Sequence, residues 1–304
     1  MEKFSFNLIS ADWIPVVRLD GSPALISLRE ALTRAFAYRR VAASLPHANA
    51  ALLRLLLAML HRVFGPVDPQ AWQSLWQAET FATDELETYL AQWGPHFDLF
   101  AGEHPFYQDR HPLVEEKPAQ VLLQIIGGGD TFTLFDHVLD SDEYSLTPPE
   151  AALLLITAQL FGLAGLCHPQ LKLFYNDAPC SRAVVFFIEG KNLFETLMFN
   201  LVQYNRSTPM PWQGIETDRP NWEAEDPYRP RSLPYGYLDY LTWPNRRISL
   251  IPDWQGDRIV VTRITAAPGL VLDANIRNPM HHYRIGPGRH PNEEIVKVTR
   301  FSEG

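Results

Sequence analysis

Residues 147–167 read TPPEAALLLITAQLFGLAGLC. Thr147 followed by Pro148, Pro149 and Glu150 has the layout of a helix start. It supplies an N-cap hydroxyl, a proline at the first helical position, and a glutamate spaced to reach back to the cap. The apolar run 151–161 then predicts a buried helix. Gly162-Leu163-Ala164-Gly165-Leu166 stops it, with Gly162 expected in the left-handed conformation that closes a last helical turn. Upstream, Gly127-Gly128-Gly129 follows the apolar segment 121–126 and opens a polar loop carrying Thr133-Leu134-Phe135-Asp136-His137. A buried helix is thus bracketed by a mixed polar and aromatic loop and by nearly bare backbone, a layout that lets something large come close.

Toward the N-terminus, Asn7-Leu8-Ile9 and Trp13-Ile14-Pro15-Val16-Val17 read as short β segments, the second joined to a further strand by the turn Asp20-Gly21. Ser27-Leu28-Arg29-Glu30 forms a capping box for a helix running to about Arg39. The strongest helical pattern covers 47–64, with Leu52, Leu53, Leu56, Met59, Leu60 and Val63 on one broad face and Arg54, His61 and Arg62 at its edges. Residues 69–76 and 84–93 read as two further amphipathic helices, and 102–110 as a packed irregular loop. Toward the C-terminus, 183–188 is the most strand-like run, followed by a helix over about 193–203. Seven prolines between 207 and 244 argue against regular structure before Leu238, and two strands over 247–252 and 257–264 flank a Gln255-Gly256 turn.

With 304 residues, 46% of them hydrophobic, the chain can fill one large core or two smaller ones. Its longest apolar run, 48–59, is interrupted by Asn49 and Arg54, well short of a membrane span of about 20 apolar residues. The N-terminus lacks the order of a secretion signal, so a cytoplasmic protein is expected. Two cysteines, Cys167 and Cys180, make neither a disulfide framework nor a zinc ribbon and read as small buried residues. A net charge of -9 opposes wrapping nucleic acid unaided, because phosphate contacts need clustered cations. A local basic strip stays open, since Arg229, Arg231, Arg246, Arg247, Arg258, Arg263, Arg277, Arg284, Arg289 and Arg300 all fall in the last quarter.

Catalytic patterns are missing from the sequence. His104, Asp109 and His111 match no standard metal-ligand spacing, and the neighbours Asp136 and His137 project in different directions on an extended loop. His281-His282 reads as part of a structural or contact loop. The glycines of 162–165 follow a helix and are not followed by Lys-Ser/Thr, so they fit neither a phosphate-binding loop nor a dinucleotide fingerprint. No catalytic residue, metal ligand set or cofactor is expected.

Several stretches taken together resemble the CasA family, the large subunit of the type I-E CRISPR surveillance complex Cascade. The carriers are Phe6-Asn7-Leu8-Ile9 with Trp13-Ile14-Pro15-Val16, Ser27-Leu28-Arg29-Glu30-Ala31-Leu32, Gly102-Glu103-His104-Pro105-Phe106-Tyr107-Gln108 and Leu134-Phe135-Asp136-His137. Leu238-Asp239-Tyr240-Leu241-Thr242-Trp243-Pro244 with Arg246-Arg247-Ile248, and Asn278-Pro279-Met280 before Tyr283-Arg284, complete them in order along nearly the whole chain. The resemblance implies a mixed α+β domain, helices packed with short, mainly antiparallel sheets and long irregular loops. Residues 1–304 would form a CasA-like N-terminal domain, with an internal division near 205–245 left open.

The resemblance further implies a non-enzymatic subunit that joins guide-RNA-containing Cascade subunits and inspects double-stranded DNA for a protospacer-adjacent motif from the minor groove. It also implies help in recruiting the Cas3 nuclease-helicase. The family's glycine loop falls at Gly162, Leu163, Ala164 and Gly165, and its loop near the guide-RNA end at Leu134, Phe135, Asp136 and His137. With no lysine between Arg263 and His281, Arg277 stands in for the family's basic finger. Two departures are a C-terminal helical bundle that family members carry beyond this point, and a glycine loop with leucine at 163 and alanine at 164. Two rival readings remain: an assembly subunit whose loop no longer reads DNA, and a metal-dependent hydrolase centred on His104, Asp109 and His111.

Overall fold

The computed structural model describes residues 4–123, 144–201, 217–273, 276–285 and 295–298. It begins with the expected hairpin: β1 (Ile14–Arg18) pairs antiparallel with β2 (Pro23–Ile26), and Gly21 in the intervening turn takes φ +86°, open to glycine at no steric cost. β3 (Tyr38–Val41) adds to the other edge of β1, giving the order β2-β1-β3. The 27–30 box is only half made. Ser27 Oγ accepts from the Glu30 N–H at 3.2 Å, but the Glu30 carboxylate turns away to accept from Arg34 and the Tyr38 hydroxyl. The helix, α1 (Leu28–Thr33), therefore stops short of Arg39, because residues 38–41 are drawn into the sheet.

Three helices follow: α2 (Pro46–Val63), α3 (Pro69–Gln77), whose N-cap Asp68 accepts from the Ala71 N–H, and α4 (Thr83–Trp93). α2 lies deeper than its pattern suggested. Arg54 and His61, expected at the edges of its apolar face, are only 3% and 5% exposed. Burial pushes His61 down to about 3. Arg54 donates to the carbonyls of Tyr240 and Leu241, at 2.6 and 2.9 Å, and lies over the Tyr240 ring. It closes the last turn of α7 (Tyr237–Leu241) in the manner of a C-terminal cation.

The second half is built from α5 (Pro148–Phe161), a hairpin of β5 (Gly165–His168) and β6 (Leu173–Tyr175), α6 (Leu193–Asn200) and the long hairpin β7 (Arg246–Gln255) with β8 (Arg258–Pro268). β4 (Lys117–Pro118) extends the last to the order β4-β8-β7, and β9 (Tyr283–Ile285) pairs with β10 (Ile295–Lys297). All these pairings are antiparallel, so the architecture is α+β with short sheets, as the resemblance implied. Residues 183–188 do not form the expected strand. Their ladder reduces to one bridge, Val185 to His281, flanked by Val184 N–H to Val298 O and Phe186 N–H to Met280 O. Partners taken from two separate segments leave no continuous strand to pair with.

One buried cluster runs from Leu8 to Met280 and includes Trp222, Tyr237 and Tyr240 alongside the leucines of α2 and α5. The irregular loop 102–110 feeds Phe106 and Tyr107 into it, which accounts for its aromatic content. Among the described residues, no helix is long and apolar enough to cross a membrane.

Candidate nucleic-acid interface

The site begins at the well-capped start of α5. The Glu150 carboxylate accepts from the Thr147 N–H at 2.9 Å and from its hydroxyl at 2.7 Å. Nearly every side of the helix is buried, including the polar Thr157 and Gln159. Gln159 has a specific partner: its Oε1 accepts from the Arg246 N–H at 2.8 Å, and its Nε2 donates to the Arg246 carbonyl at 2.9 Å. The Tyr228 hydroxyl donates to the same carbonyl at 2.7 Å. The first residue of β7 is thereby fixed against the last turn of α5.

Gly162 then ends the helix, but not as its position suggested. It has φ -57° and ψ 132°, an extended conformation open to any residue, in place of the expected left-handed one. Space, not backbone freedom, demands the glycine. A Cβ there would stand 2.7 Å from the Ala158 carbonyl oxygen, 2.7 Å from Arg246 Nη2 and 2.9 Å from Arg246 Cζ.

The Arg246 guanidinium thus occupies the place a side chain at 162 would need. Arg246 is 0% exposed. Its Nη2 donates to the Leu163 carbonyl at 2.9 Å, its Nη1 to the Asn176 carbonyl at 2.8 Å and to the Asn245 side-chain oxygen, and its Cζ lies 4.5 Å from the centre of the Tyr175 ring. Burial pulls Arg246 down to about 10, still far above neutral pH, so the charge is kept. Tyr175 is raised above the usual tyrosine range, by burial first and then by Cys167.

Two more contacts fasten the loop. Asp177 Oδ1 accepts from the Ala164 N–H at 3.0 Å while its other oxygen pairs with Arg182 at 2.8 Å, and the Ala178 N–H donates to the Gly162 carbonyl at 2.8 Å. The loop is therefore bound from beneath and open above. Gly162 is buried and Leu163 half-buried, whereas Ala164 and Gly165 are exposed. A Cβ built on Gly165 meets nothing within 4 Å. Beside it, β5 and β6 put Leu166 opposite Phe174, both largely exposed at 55% and 59%. Isolated leucines at a surface are unremarkable, but a paired leucine and phenylalanine beside bare backbone form an apolar edge to the loop.

Among the described residues, four arginines of the last quarter do not stand as free cations on a shared strip. Arg246 is interior, Arg231 pairs with Asp239 at 2.6 Å, Arg247 pairs with Asp109 and Arg263 pairs with Glu116 at 2.9 Å. Closeness in sequence did not become a shared surface, because β7 alternates and sends Arg246 inward with Ile248 and Leu250. The cations that do gather at the loop come from three places in the chain: Arg246 beneath it, Arg182 on Asp177, and Lys117, whose Nζ donates to the Cys167 carbonyl at 3.0 Å.

Arg277 is exposed, at the start of a fixed turn. There the Asn278 N–H donates to the Tyr283 hydroxyl at 2.7 Å, and the Asn278 amide nitrogen lies 3.0 Å from His281 Nε2. Cys180 connects that turn to the loop's base: its N–H donates to the Leu160 carbonyl at 2.9 Å and its Sγ lies 3.5 Å from His281 Nε2. Both cysteines are buried and free of disulfides, as their number suggested. Leu134, Phe135, Asp136 and His137 lie outside the described residues, as does the glycine run 127–129.

Residues His104, Asp109 and His111 form no ligand cluster. Asp109 is taken by Arg247, and the His111 ring nitrogen accepts from the Leu113 N–H. Among the described residues, no three His, Cys, Asp or Glu side chains gather as a ligand set. Sequence reasoning missed Asp177 altogether and placed Arg246 in a surface basic strip when it is buried beneath the loop. Carrying the β7 alternation back from Ile248 by two positions puts Arg246 on the buried face, which is the one signal that could have found it.

The molecule is thus a mixed α+β protein that presents a backbone loop over a buried arginine. The family model for CRISPR-associated protein Cse1 matches residues 7–302, and the chain belongs to that family. A CRISPR-associated protein CasA/Cse1 from Thermus thermophilus is 35% identical over 292 residues, covering 92% of this chain and 55% of that protein. The crystal structure of CRISPR-associated protein Cse1 from Acidimicrobium ferrooxidans superposes with a TM-score of 0.78 at 31% identity, covering 98% of this chain and 58% of that one. A chain of a CRISPR RNA-guided surveillance complex shares the fold, with a TM-score of 0.78 at 20% identity over 99% of this chain and 63% of that one. The chain therefore spans little more than half the length of these relatives.

Proposed function

We propose that this chain is a non-enzymatic subunit of an RNA-guided surveillance complex of the Cascade type, in which it inspects duplex DNA for a short flanking motif. In that reading residues 1–304 act as the N-terminal domain of a CasA protein and join guide-RNA-containing subunits. Leu134, Phe135, Asp136 and His137 face the guide-RNA end, Arg277 supplies a basic contact, and the assembled complex helps to recruit the Cas3 nuclease-helicase. Base pairing with the guide reads the target, and the protein reads only the flank.

The observation that carries the proposal is the asymmetry of the 162–165 loop. It is held from below by Arg246 and Asp177, yet its outer backbone at Ala164 and Gly165 is exposed, with open space where a side chain at 165 would stand. A ridge whose exposed residues, Ala164 and Gly165, carry no side chain beyond one methyl can enter a minor groove only about 6 Å wide, whose degenerate pattern suits backbone reading. Lys117, beside the loop on the Cys167 carbonyl, adds a cation that favours a polyanion despite the net charge of -9.

The rival assembly reading draws support from Gly162, whose glycine is explained inside the protein without DNA. Gly165 separates the two. Replacing it with leucine adds a side chain into open space, so the fold is kept while the ridge is blocked. Loss of motif-dependent binding by a complex that still incorporates the Gly165→Leu chain supports inspection; unchanged binding supports the assembly role.

A further inference from the structure

We infer that Arg246 is the positioning residue of the glycine loop, setting from inside the protein how far the exposed ridge projects and therefore how sharply the flanking motif is discriminated. The inference rests on the reading of the loop as the DNA-facing element and adds to it the device that holds the ridge in place.

Three features together define the role of Arg246, the first of which it shares with Arg54. Arg246 is 0% exposed, yet every hydrogen-bond acceptor recorded for its guanidinium is uncharged: the carbonyls of Leu163, Asn176 and Asn245, and the Asn245 side-chain oxygen. Burying a cation against neutral acceptors is costly, so such an arrangement persists where the fork's fixed geometry is needed. Second, the guanidinium joins the two sides of the β5–β6 hairpin, since Leu163 precedes β5 and Asn176 follows β6. Tyr175 lies against its face and fixes its plane. Third, its own backbone is held on both sides by Gln159 and by Tyr228, so the fork is referenced to α5 and not to the surface.

Glycine at 162 is then the complement of this arginine. The first glycine of the loop makes room for the guanidinium and the second, at 165, leaves the outer face bare. The two glycines do different work, and only the second faces outward.

A lysine at 246 keeps the charge but cannot donate in the same plane to Leu163 and Asn176 at once. The test uses the guide-loaded complex carrying the full chain, with Arg246→Lys, Tyr175→Leu and Gly165→Leu compared with the wild type. The readouts are incorporation into the complex and affinity for targets with and without the flanking motif, all at one fixed salt concentration. Arg246→Lys is expected to incorporate normally and to lower the ratio of motif-bearing to motif-lacking affinity by about tenfold. Its motif-lacking affinity stays at the wild-type value, because lysine keeps the charge and residue 246 is buried beneath the loop. Tyr175→Leu, which leaves every hydrogen bond of the fork in place, is expected to lower the ratio by about threefold.

A wild-type ratio in Arg246→Lys, alongside a collapsed ratio in Gly165→Leu, overturns the positioning role while leaving the inspection reading intact. A wild-type ratio in Gly165→Leu overturns that reading itself. An equal drop in affinity for motif-bearing and motif-lacking targets in Arg246→Lys overturns the inference, because the residue would then support DNA binding in general and not discrimination. Should Arg246→Lys fail to fold, Tyr175→Leu decides: an unchanged ratio there overturns the inference and a reduced one supports it.

Discussion

Gly162→Ala adds a single methyl group where the backbone angles, φ -57° and ψ 132°, accept any residue. Backbone strain contributes nothing, and the whole effect comes from packing. The new Cβ would lie 2.7 Å from a carbonyl oxygen of α5 and 2.7 Å from Arg246 Nη2, both inside the closest approach of real Cβ atoms. The helix carbonyl cannot yield without opening the last turn, so the guanidinium must move. Overpacking of this kind costs about 1–3 kcal/mol, and losing the charge-assisted bond from Arg246 to the Leu163 carbonyl costs about 1.5–3 kcal/mol more. A total near 4 kcal/mol is expected, which lowers Tm by roughly 8–16 °C in a chain of this size. Gly165→Ala, whose added Cβ meets nothing within 4 Å, should stay within about 0.5 kcal/mol of the wild type. Urea unfolding of both variants in parallel measures the difference. If Gly162→Ala unfolds within about 1 kcal/mol of the wild type, the guanidinium is not wedged against the loop and the argument about the first glycine fails.

Two further expectations concern His61 in α2 and Asp177 beside the loop. His61 in α2 is held near 3 by burial, against an ordinary value near 6.5 in the unfolded chain, so the unfolded state binds the extra proton between those values. Stability is therefore complete above about pH 6.5 and falls as pH drops toward 3, by ~2 kcal/mol between pH 7.5 and 5. His61→Gln should flatten this acid limb in a Tm-against-pH series, and an unchanged limb would assign it to other groups. Asp177→Ala removes the acceptor of the Ala164 N–H and frees Arg182, so that amide should exchange about tenfold faster, equal to ~1.4 kcal/mol of lost protection, while the amides of α2 keep their rates. Equal exchange in both proteins would mean that Asp177 does not hold the loop.

Local rules of backbone chemistry were legible in the residues. The Thr147 to Glu150 box, the Asp20-Gly21 hairpin and the β7–β8 hairpin about Gln255-Gly256 carry their reasons within a few positions, and each formed where expected. What could not be read depended on partners distant in sequence. Arg54 looked like the edge of an amphipathic face until the carbonyls of Tyr240 and Leu241 came to meet it from more than 180 residues away. Residues 183–188 had every strand propensity, but their partners at 281 and 298 come from different segments and allow only one bridge. The loop is the sharpest case. Its glycines were visible, yet the reason for Gly162 is an arginine 84 positions later, and only the fold brings the two together.

The central claim, that the exposed backbone of the loop inspects DNA beside the guide-paired target, meets its most direct test in duplex binding. A guide-loaded complex lacking its large subunit is mixed with this chain or its Gly165→Leu variant at one fixed salt concentration, and matched targets with and without the flanking motif are titrated. The account predicts that the wild-type chain tightens binding to motif-bearing targets alone, and that the variant joins the complex but no longer distinguishes the two. Equal discrimination by both chains, each fully incorporated, would contradict it.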